Sequence, residues 1–288
     1  MRIQIITVFL LLSCNPKAQD TVQNDQLKVE FSLPKKLKEV SGITLSNDQK
    51  IIWAIEDQGN KNSVFALDRK GNLLSEIVVE NAENTDWEDI TKDKEGNLYI
   101  GDFGNNENDR KNLSIIKLDV KSESQAVAKA IQTTTFRYEG QTEFPPSKSN
   151  LLYDCEAFVE KDGMFYLFTK NRSKAFDGTF LIFQIPNKEG DFEAKLVGKL
   201  KLEGNYDDAA ITAASINSKN EIVLLTHSNI HLLTDFSPND FNKAKIKTIS
   251  LDDNSQKEAI VFVDDTTLLI ADEKDKKTGG NVYQFKIN

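Results

Sequence analysis

A short motif of alternating polar and apolar residues occurs five times along the chain, and each copy opens a strand-like segment. The copies are residues 39–43, 86–90, 154–158, 210–214 and 256–260. Ten positions after the last residue of each copy stands an apolar residue in a β-rich run: Trp53, Ile100, Phe168, Leu224 and Ile270. A strand, a turn and a second strand that recur in this way indicate a repeated β-unit, as in a β-propeller.

Each copy predicts a group of about four strands, separated by turns rich in Gly, Asn and Asp. The groups span residues 41–80, 88–138, 156–202, 211–250 and 258–287, and the last group is one strand short. Residues 27–33 alternate as a strand and precede the first copy, so we expect them to supply the missing outer strand. The sequence therefore predicts an all-β fold, a five-bladed β-propeller closed by its N-terminal strand. The alternative is six blades, with a blade hidden near residues 139–150.

The first fourteen residues predict a signal peptide, because one basic residue, Arg2, precedes an apolar stretch that is too short to span a bilayer. The stretch ends in a Leu-Leu-Ser-Cys sequence that resembles a bacterial lipobox and would make Cys14 the lipidated residue. An ordinary signal peptide with an incidental Cys is the alternative. The predicted organisation is a signal peptide at 1–14, a flexible tether at 15–26 and a propeller at 27–288.

The charge balance excludes several kinds of partner. The chain has 36 Lys and Arg residues against 45 Asp and Glu residues, a formal net charge of -9. Such a surface repels nucleic acids and anionic lipids, so we expect no nucleic-acid partner and membrane contact only through the lipid on Cys14. We expect a monomer on the periplasmic side of the cell membrane or outer membrane, since no acidic run that would suggest surface export follows Cys14.

Acidic residues recur at the start of the repeated motif. In a propeller the first strand of each blade lines the central channel, and side chains two apart share a face. An apolar residue stands two positions after the middle residue of each copy, so it is predicted to face the channel as well and to lie deeper in its wall. These residues are Ile43, Ile90, Phe158, Ala214 and Ile260. The candidate metal ligands are Asp86, Glu88, Asp154, Glu156 and Glu258. Oxygen ligands alone favour Ca²⁺ over Mg²⁺ and over zinc or copper. Alternatively, these carboxylates accept hydrogen bonds from the backbone of neighbouring blades.

A second polar cluster follows the second strand of each blade and is predicted to share the same rim. Its candidate ligand-binding residues are Asp102, Asn105, Lys170, Asn171 and Arg172. The basic side chains in this set fit a small anionic ligand, a phosphate or carboxylate. Gly and Asn also serve tight hairpins, which is the alternative reading of those residues. His227, at a strand end, has no evident partner to orient it, so no catalytic residue is predicted.

Several of these segments together resemble secreted bacterial propellers. They are residues 41–43, 57–60, 88–90, 101–106, 155–158, 167–172 and 257–260. The chain is similar to the SdiA-regulated and esterase-like phytase propeller groups and to uncharacterised lipoproteins of the Bacteroidetes. The resemblance implies an extracytoplasmic propeller, with calcium binding among relatives and phosphoesterase activity in some. The metal-binding role that the resemblance implies is assigned here only to Glu88, Glu156 and Glu258. Ser41 and Thr212 occupy the matching positions of the other copies, which favours a lopsided site.

The leading hypothesis is a lipid-anchored, non-catalytic propeller that binds a divalent cation and a small ligand or a protein partner at its channel rim. The alternative is a metal-dependent phosphoesterase or other hydrolase. In it, Glu88, Glu156 or Glu258 would hold Ca²⁺ and Lys170 or Arg172 would hold an anionic substrate. The sequence does not identify that ligand or substrate.

Overall fold

The computed structural model describes residues 27–287. The predicted signal peptide, Cys14 and the tether at 15–26 lie outside the described residues. Within 27–287, no helix is long and apolar enough to span a membrane.

The described residues form β-strands almost throughout, which confirms the predicted all-β class. In chain order the strands are β1 (Lys28–Ser32), β2 (Val40–Leu45), β3 (Ile51–Glu56), β4 (Ser63–Asp68), β5 (Leu73–Val79), β6 (Trp87–Lys92), β7 (Leu98–Asp102), β8 (Leu113–Leu118), β9 (Val127–Ala128), β10 (Ala130–Tyr138), β11 (Asp154–Lys161), β12 (Met164–Lys170), β13 (Thr179–Pro186), β14 (Gly190–Lys201), β15 (Ala213–Ile216), β16 (Ile222–Leu225), β17 (Asn229–Thr234), β18 (Lys245–Ser250), β19 (Lys257–Phe262), β20 (Thr267–Asp272), β21 (Lys274–Asp275), β22 (Thr278–Gly279) and β23 (Asn281–Lys286). A single helical turn, α1 (Tyr206–Ala209), was not predicted; Asn205 caps it and forms a capping box with Asp208.

The strands pair as antiparallel groups of four, in the order that the repeats predict. The groups are β2-β3-β4-β5, β6-β7-β8-β10, β11-β12-β13-β14, β15-β16-β17-β18 and β19-β20-β23-β1. The N-terminal β1 pairs with the C-terminal β23, as the sequence predicts, and so covers an edge that would otherwise be open. A parallel pairing of β10 with β14 joins the second and third groups into one eight-stranded sheet.

The first strands of these groups lie side by side around the centre of the molecule. β2 neighbours β6, β6 neighbours β11, β11 neighbours β15, β15 neighbours β19, and β19 neighbours β2. Hydrophobic core clusters fill the spaces between successive groups; Trp53 and Trp87, for example, pack between the first and second. The apolar faces of the sheets are therefore buried against one another, while the starts of the first strands meet at a shared channel.

A β-bulge interrupts four of the five first strands next to the channel, and β15 pairs with β16 without a shift. In β6 the pairing with β7 skips Glu88, and in β11 the pairing with β12 skips Glu156; β2 and β19 shift at Ser41 and Glu258. A bulge adds one residue on one strand and breaks the strict alternation of side chains. The prediction that the repeated apolar residue faces the channel, like the acidic residue two positions before it, is therefore wrong. Ile90 and Phe158 pack in the core between sheets, not in the channel wall.

Asp89 fixes the first strands to one another below the channel mouth. It is 1% exposed. Its carboxylate accepts hydrogen bonds from the backbone N–H groups of Ile90 (2.8 Å) and Phe158 (3.2 Å), and also of Ala214. These donors belong to β6, β11 and β15. Removal of the acceptor would leave buried N–H groups without partners, so this carboxylate holds the strands that carry the acidic residues in place.

Candidate functional site

A polar cavity of about 220 Å³ opens at one mouth of the channel. It is lined by Ser41, Asp57, Glu88, Asn106, Glu156, Lys170, Arg172, Tyr206, His227, Gln256, Glu258 and Glu273. This list combines residues at the starts of first strands with residues that follow second strands. The two sets share one rim, as predicted from the alternating strand directions.

The three channel glutamates Glu88, Glu156 and Glu258 all line this cavity. At the equivalent positions, Ser41 donates to the carbonyl oxygen of Trp87 (2.7 Å), and Thr212 donates to that of Lys257 (2.7 Å). These hydroxyls therefore join neighbouring first strands. The ring of carboxylates has three members at this level and is lopsided, as the sequence indicates.

Two fixed cations occupy the side of the cavity formed by the third group of strands. Lys170 Nζ lies 3.1 Å from Glu156 Oε2, and Arg172 Nη2 lies 2.7 Å from Glu156 Oε1. Arg172 Nε also donates to Asp154 Oδ2 at 2.5 Å, while the backbone N–H of Asn105 donates to Asp154 Oδ1 at 2.7 Å. All four carboxylate oxygens of Asp154 and Glu156 thus have donors, and both basic groups are paired with carboxyl groups of the protein.

The pKa shifts follow from this pairing. Burial opposes ionisation of Glu156, but Lys170 and Arg172 outweigh it and lower its pKa. Desolvation opposes the charged forms of both bases, yet the nearby carboxylates raise the pKa of Lys170 and of Arg172. For Asp154, burial and the adjacent Glu156 raise the pKa to about 8 in spite of Arg172. This side of the cavity therefore keeps its two positive charges at neutral pH, with Glu156 as their ionised partner.

The opposite side of the cavity has carboxylates that form no ion pair with a basic side chain among residues 27–287; Arg110, which pairs with Asp102, is near enough to Asp86 to oppose the rise of its pKa. Oxygens of Asp57, Asp86 and Glu88 lie within 4.8 Å of one another. Asp86 is 5% exposed, and its Oδ1 is buried with no hydrogen-bond partner among the described residues. Gly104 lies directly against this cluster, because a Cβ there would be 2.1 Å from Glu88 Oε1. Asp57 and Glu88 line the cavity, and Asp86, which is absent from its lining, lies next to both of them.

Burial and mutual repulsion govern the protonation of this cluster. Desolvation, followed by the charge of Asp57, raises the pKa of Asp86 to about 7. Desolvation, followed by the charges of Glu156 and Asp57, raises the pKa of Glu88 well above its ordinary value. Crowded carboxylates of this kind must hold protons or a cation. An oxygen-only set with one unpartnered oxygen fits a hard divalent cation.

A second candidate group, Glu88 with Asp154 and Glu156, also brings its oxygens within 4.8 Å. Its Asp154 and Glu156 oxygens already accept the donors described above. Glu258 has a partner as well, since His227 Nε2 lies 3.1 Å from Glu258 Oε1. His227 Nδ1 lies 3.4 Å from Asp207 Oδ1. The first group is therefore the better fit to a metal ion, with Glu88 shared between the two.

Three of the predicted ligand-binding residues are absent from the cavity lining in the described part of the chain. Asp102 Oδ1 accepts from the backbone N–H of Asp86 (3.1 Å) and from Arg110 Nη2 (2.8 Å). The side chain of Asn105 donates to the carbonyl oxygen of Tyr153, and that of Asn171 donates to Asp177. These three side chains therefore bond to other protein groups in and around the loops that carry the site.

Seven residues that line the cavity were not among the candidates: Ser41, Asp57, Asn106, Tyr206, His227, Gln256 and Glu273. Four of them (Asp57, Asn106, His227 and Glu273) follow second strands, the position from which Lys170 and Arg172 were selected, so this signal was available. Tyr206 belongs to α1, and no motif marks it. Its hydroxyl accepts a hydrogen bond from Arg172 Nη1 at 2.9 Å.

A larger cavity, of about 790 Å³, lies at the other end of the first strands, among the hairpins that join first and second strands. Its acidic residues have local donors. Asp264 accepts from the backbone N–H groups of Thr266 and Thr267, and Asp93 accepts from Asn97 and Tyr99. The smaller cavity, next to the unpartnered oxygen of Asp86, is therefore the better candidate for a metal site.

Comparison with known proteins supports the fold and the family resemblance. Residues 20–143 match the sequence model of the SdiA-regulated family. The PQQ-bound aldose sugar dehydrogenase from Streptomyces coelicolor has a similar structure, with a TM-score of 0.53, 10% identity, and coverage of 90% of this chain and 97% of that one. No curated protein matches the chain significantly.

Two further structures are more distant. A gluconolactonase from Xanthomonas campestris has a TM-score of 0.49 at 9% identity and covers 92% of this chain and 95% of that one. Virginiamycin B lyase from Staphylococcus aureus has a TM-score of 0.41 at 16% identity, with coverage of 90% and 69%. At such low identity, likeness concerns the propeller-type fold alone.

Glu273 allows the electrostatics of the cavity to be tested. Burial, and then the charges of Glu258 and Asp57, raise its pKa from 4.5 to about 8. The folded protein therefore binds more protons than the unfolded chain between these values, and this contribution to stability is lost as pH rises towards 8. We expect Glu273→Gln to reduce the fall in the free energy of unfolding between pH 5 and pH 8, measured by urea denaturation with a chelator present. The exposed Glu123→Gln is the control, and a wild-type pH dependence in Glu273→Gln would contradict this electrostatic description.

Proposed function

Starting from the match of residues 20–143 to the SdiA-regulated family, we propose that this chain is a five-bladed β-propeller that binds Ca²⁺ at one mouth of its channel. The observation that carries the proposal is the unpartnered, buried Oδ1 of Asp86 beside Asp57 and Glu88. A buried carboxylate oxygen without a donor is costly, and a bound cation removes that cost.

Five blades are supported by the pairing of the strands. The first strands β2, β6, β11, β15 and β19 are neighbours in a closed circuit, and β1 completes the group that ends the chain. A core cluster lies between each group and the next. Residues 139–150, the region considered for a sixth blade, contain no strand in the described structure.

Ca²⁺ is the cation that the donor set favours. Asp57, Asp86 and Glu88 supply oxygens only, and Ca²⁺ accepts six to eight oxygen ligands in flexible geometry. The three carboxylates come from two neighbouring groups of strands, so the cation would join the first group to the second. The remaining coordination positions would face the cavity and be open to water or to a ligand.

The ion pairs of Lys170 and Arg172 favour cation binding over the hydrolase alternative. That alternative uses Lys170 or Arg172 to hold an anionic substrate, but both are engaged with Asp154 and Glu156. A phosphate would have to compete with Asp154 and Glu156 for these two cations, and displacing either cation would leave a buried carboxyl group without its partner. The arrangement therefore supports a binding protein whose two basic residues at the cavity are already paired with carboxyl groups.

We further propose that the protein is a lipid-anchored extracytoplasmic monomer, attached through Cys14 and facing the periplasm. This proposal rests on the signal-like sequence at 1–14 and on the lipobox resemblance. Metabolic labelling with a fatty-acid analogue should label the wild-type protein and not Cys14→Ser. Equal labelling of both, or of neither, would contradict the anchor.

Asp86→Asn tests the cation site directly. We expect it to weaken Ca²⁺ binding roughly tenfold or more in isothermal titration calorimetry, because it removes a charge and replaces the unpartnered oxygen by a weaker ligand. Asp109→Asn, at an exposed carboxylate on the loop after β7, is the matched control and should bind like wild type.

Two results would contradict the proposed site. One is unchanged Ca²⁺ affinity in Asp86→Asn together with loss of binding in Glu156→Gln, which would move the cation to the second carboxylate group. The other is a wild-type protein that binds no divalent cation once bound metal has been removed with a chelator.

A further inference from the structure

The cavity at the channel mouth adjoins a groove over the last group of strands. The groove has a volume of about 310 Å³ and is lined by His227, Asn254, Ser255, Gln256, Glu273, Asp275, Thr278 and Gly279. His227, Gln256 and Glu273 line both spaces, so the two are next to each other. The groove is within the size range of small-molecule sites, about 300–1,000 Å³, and the two spaces together reach from Glu88 to the β21–β22 hairpin.

The charges along this cleft disfavour ionic ligands of either sign. An anion meets the carboxylate of Glu258, and the basic Lys170 and Arg172 are already paired with Asp154 and Glu156. An organic cation meets those same two positive charges in the cavity wall and would lie close to a bound Ca²⁺. A neutral ligand avoids both repulsions.

Neutral hydrogen-bonding groups on the walls are unoccupied by the protein. The side-chain amides of Asn106, Asn254 and Gln256 have no hydrogen-bond partner among the described residues, and each amide can both donate and accept. The hydroxyl of Tyr206 accepts from Arg172, so its own proton can be donated to a ligand. Glu273 adds an acceptor from the facing strand end. The cleft therefore offers mixed donors and acceptors, along with few apolar groups.

We propose that this cleft binds a neutral polyhydroxylated compound, of the carbohydrate or polyol class, with adjacent hydroxyl oxygens coordinating the Ca²⁺. This inference rests on the proposed cation site. Hydroxyl groups match the walls because each can donate to Glu273 and accept from the amides of Asn106 and Gln256. Hydroxyl oxygens are also hard ligands of the kind that Ca²⁺ accepts in place of water.

The test has two stages, so that failure of the cation site and failure of this inference are distinguishable. Calcium binding is measured first, by calorimetry with Ca²⁺ alone. The Ca²⁺-saturated protein is then screened by saturation-transfer NMR against neutral mono- and disaccharides, linear polyols, inorganic phosphate and spermidine. We expect binding by members of the neutral set, and loss of that binding when a chelator removes Ca²⁺.

Variants then locate the ligand. Gln256→Ala should weaken ligand binding at least fivefold and leave Ca²⁺ affinity within twofold of wild type, whereas Gln284→Ala, on the exposed face of β23, should change neither. Binding of phosphate or spermidine in preference to every neutral compound would overturn the proposal. So would a Ca²⁺-loaded protein that binds none of the neutral compounds, or a sugar that binds equally well to Gln256→Ala.

Discussion

The channel mouth of this propeller buries more carboxylates than fixed cations, and the organisation of the site depends on that imbalance. Lys170 and Arg172 are enough to satisfy Asp154 and Glu156, and His227 contacts Glu258. The remaining cluster of Asp57, Asp86 and Glu88 is left to hold protons or to bind a cation. Because charges interact strongly where water is excluded, this difference between two sides of one cavity decides where a metal ion would lie.

The β-bulge explains how one strand serves both the core and the site. Next to the channel the strand must place a charged side chain inward, and two residues later it must place an apolar side chain between sheets. Strict alternation would put both on the same face. The extra residue at Glu88 or Glu156 turns the carboxylate into the channel and returns the following apolar residue to the core. Asp89 then holds these irregular strands together through backbone hydrogen bonds.

Much of the fold could be predicted from the sequence because it depends on local patterns. Alternating apolar residues and turn residues located the strands, and the incomplete last repeat indicated that the N-terminal strand pairs with β23. Three glutamates of the repeated motif were correctly placed at one channel mouth. Their partners could not be predicted, because whether Glu156 meets Arg172 or a metal ion depends on distances between segments that the sequence does not contain. The bulges were missed for a related reason, since alternation in sequence does not reveal where pairing shifts by one residue.

A crystal structure of the Ca²⁺-saturated protein, with anomalous data collected at a wavelength where calcium scatters strongly, would locate the cation. We expect one anomalous peak bounded by oxygens of Asp57, Asp86 and Glu88, with Arg172 still paired to Asp154 and Glu156. A peak displaced to Asp154 and Glu156, or a cavity in which Ca²⁺ leaves no peak at all, would contradict a cation site at Asp86.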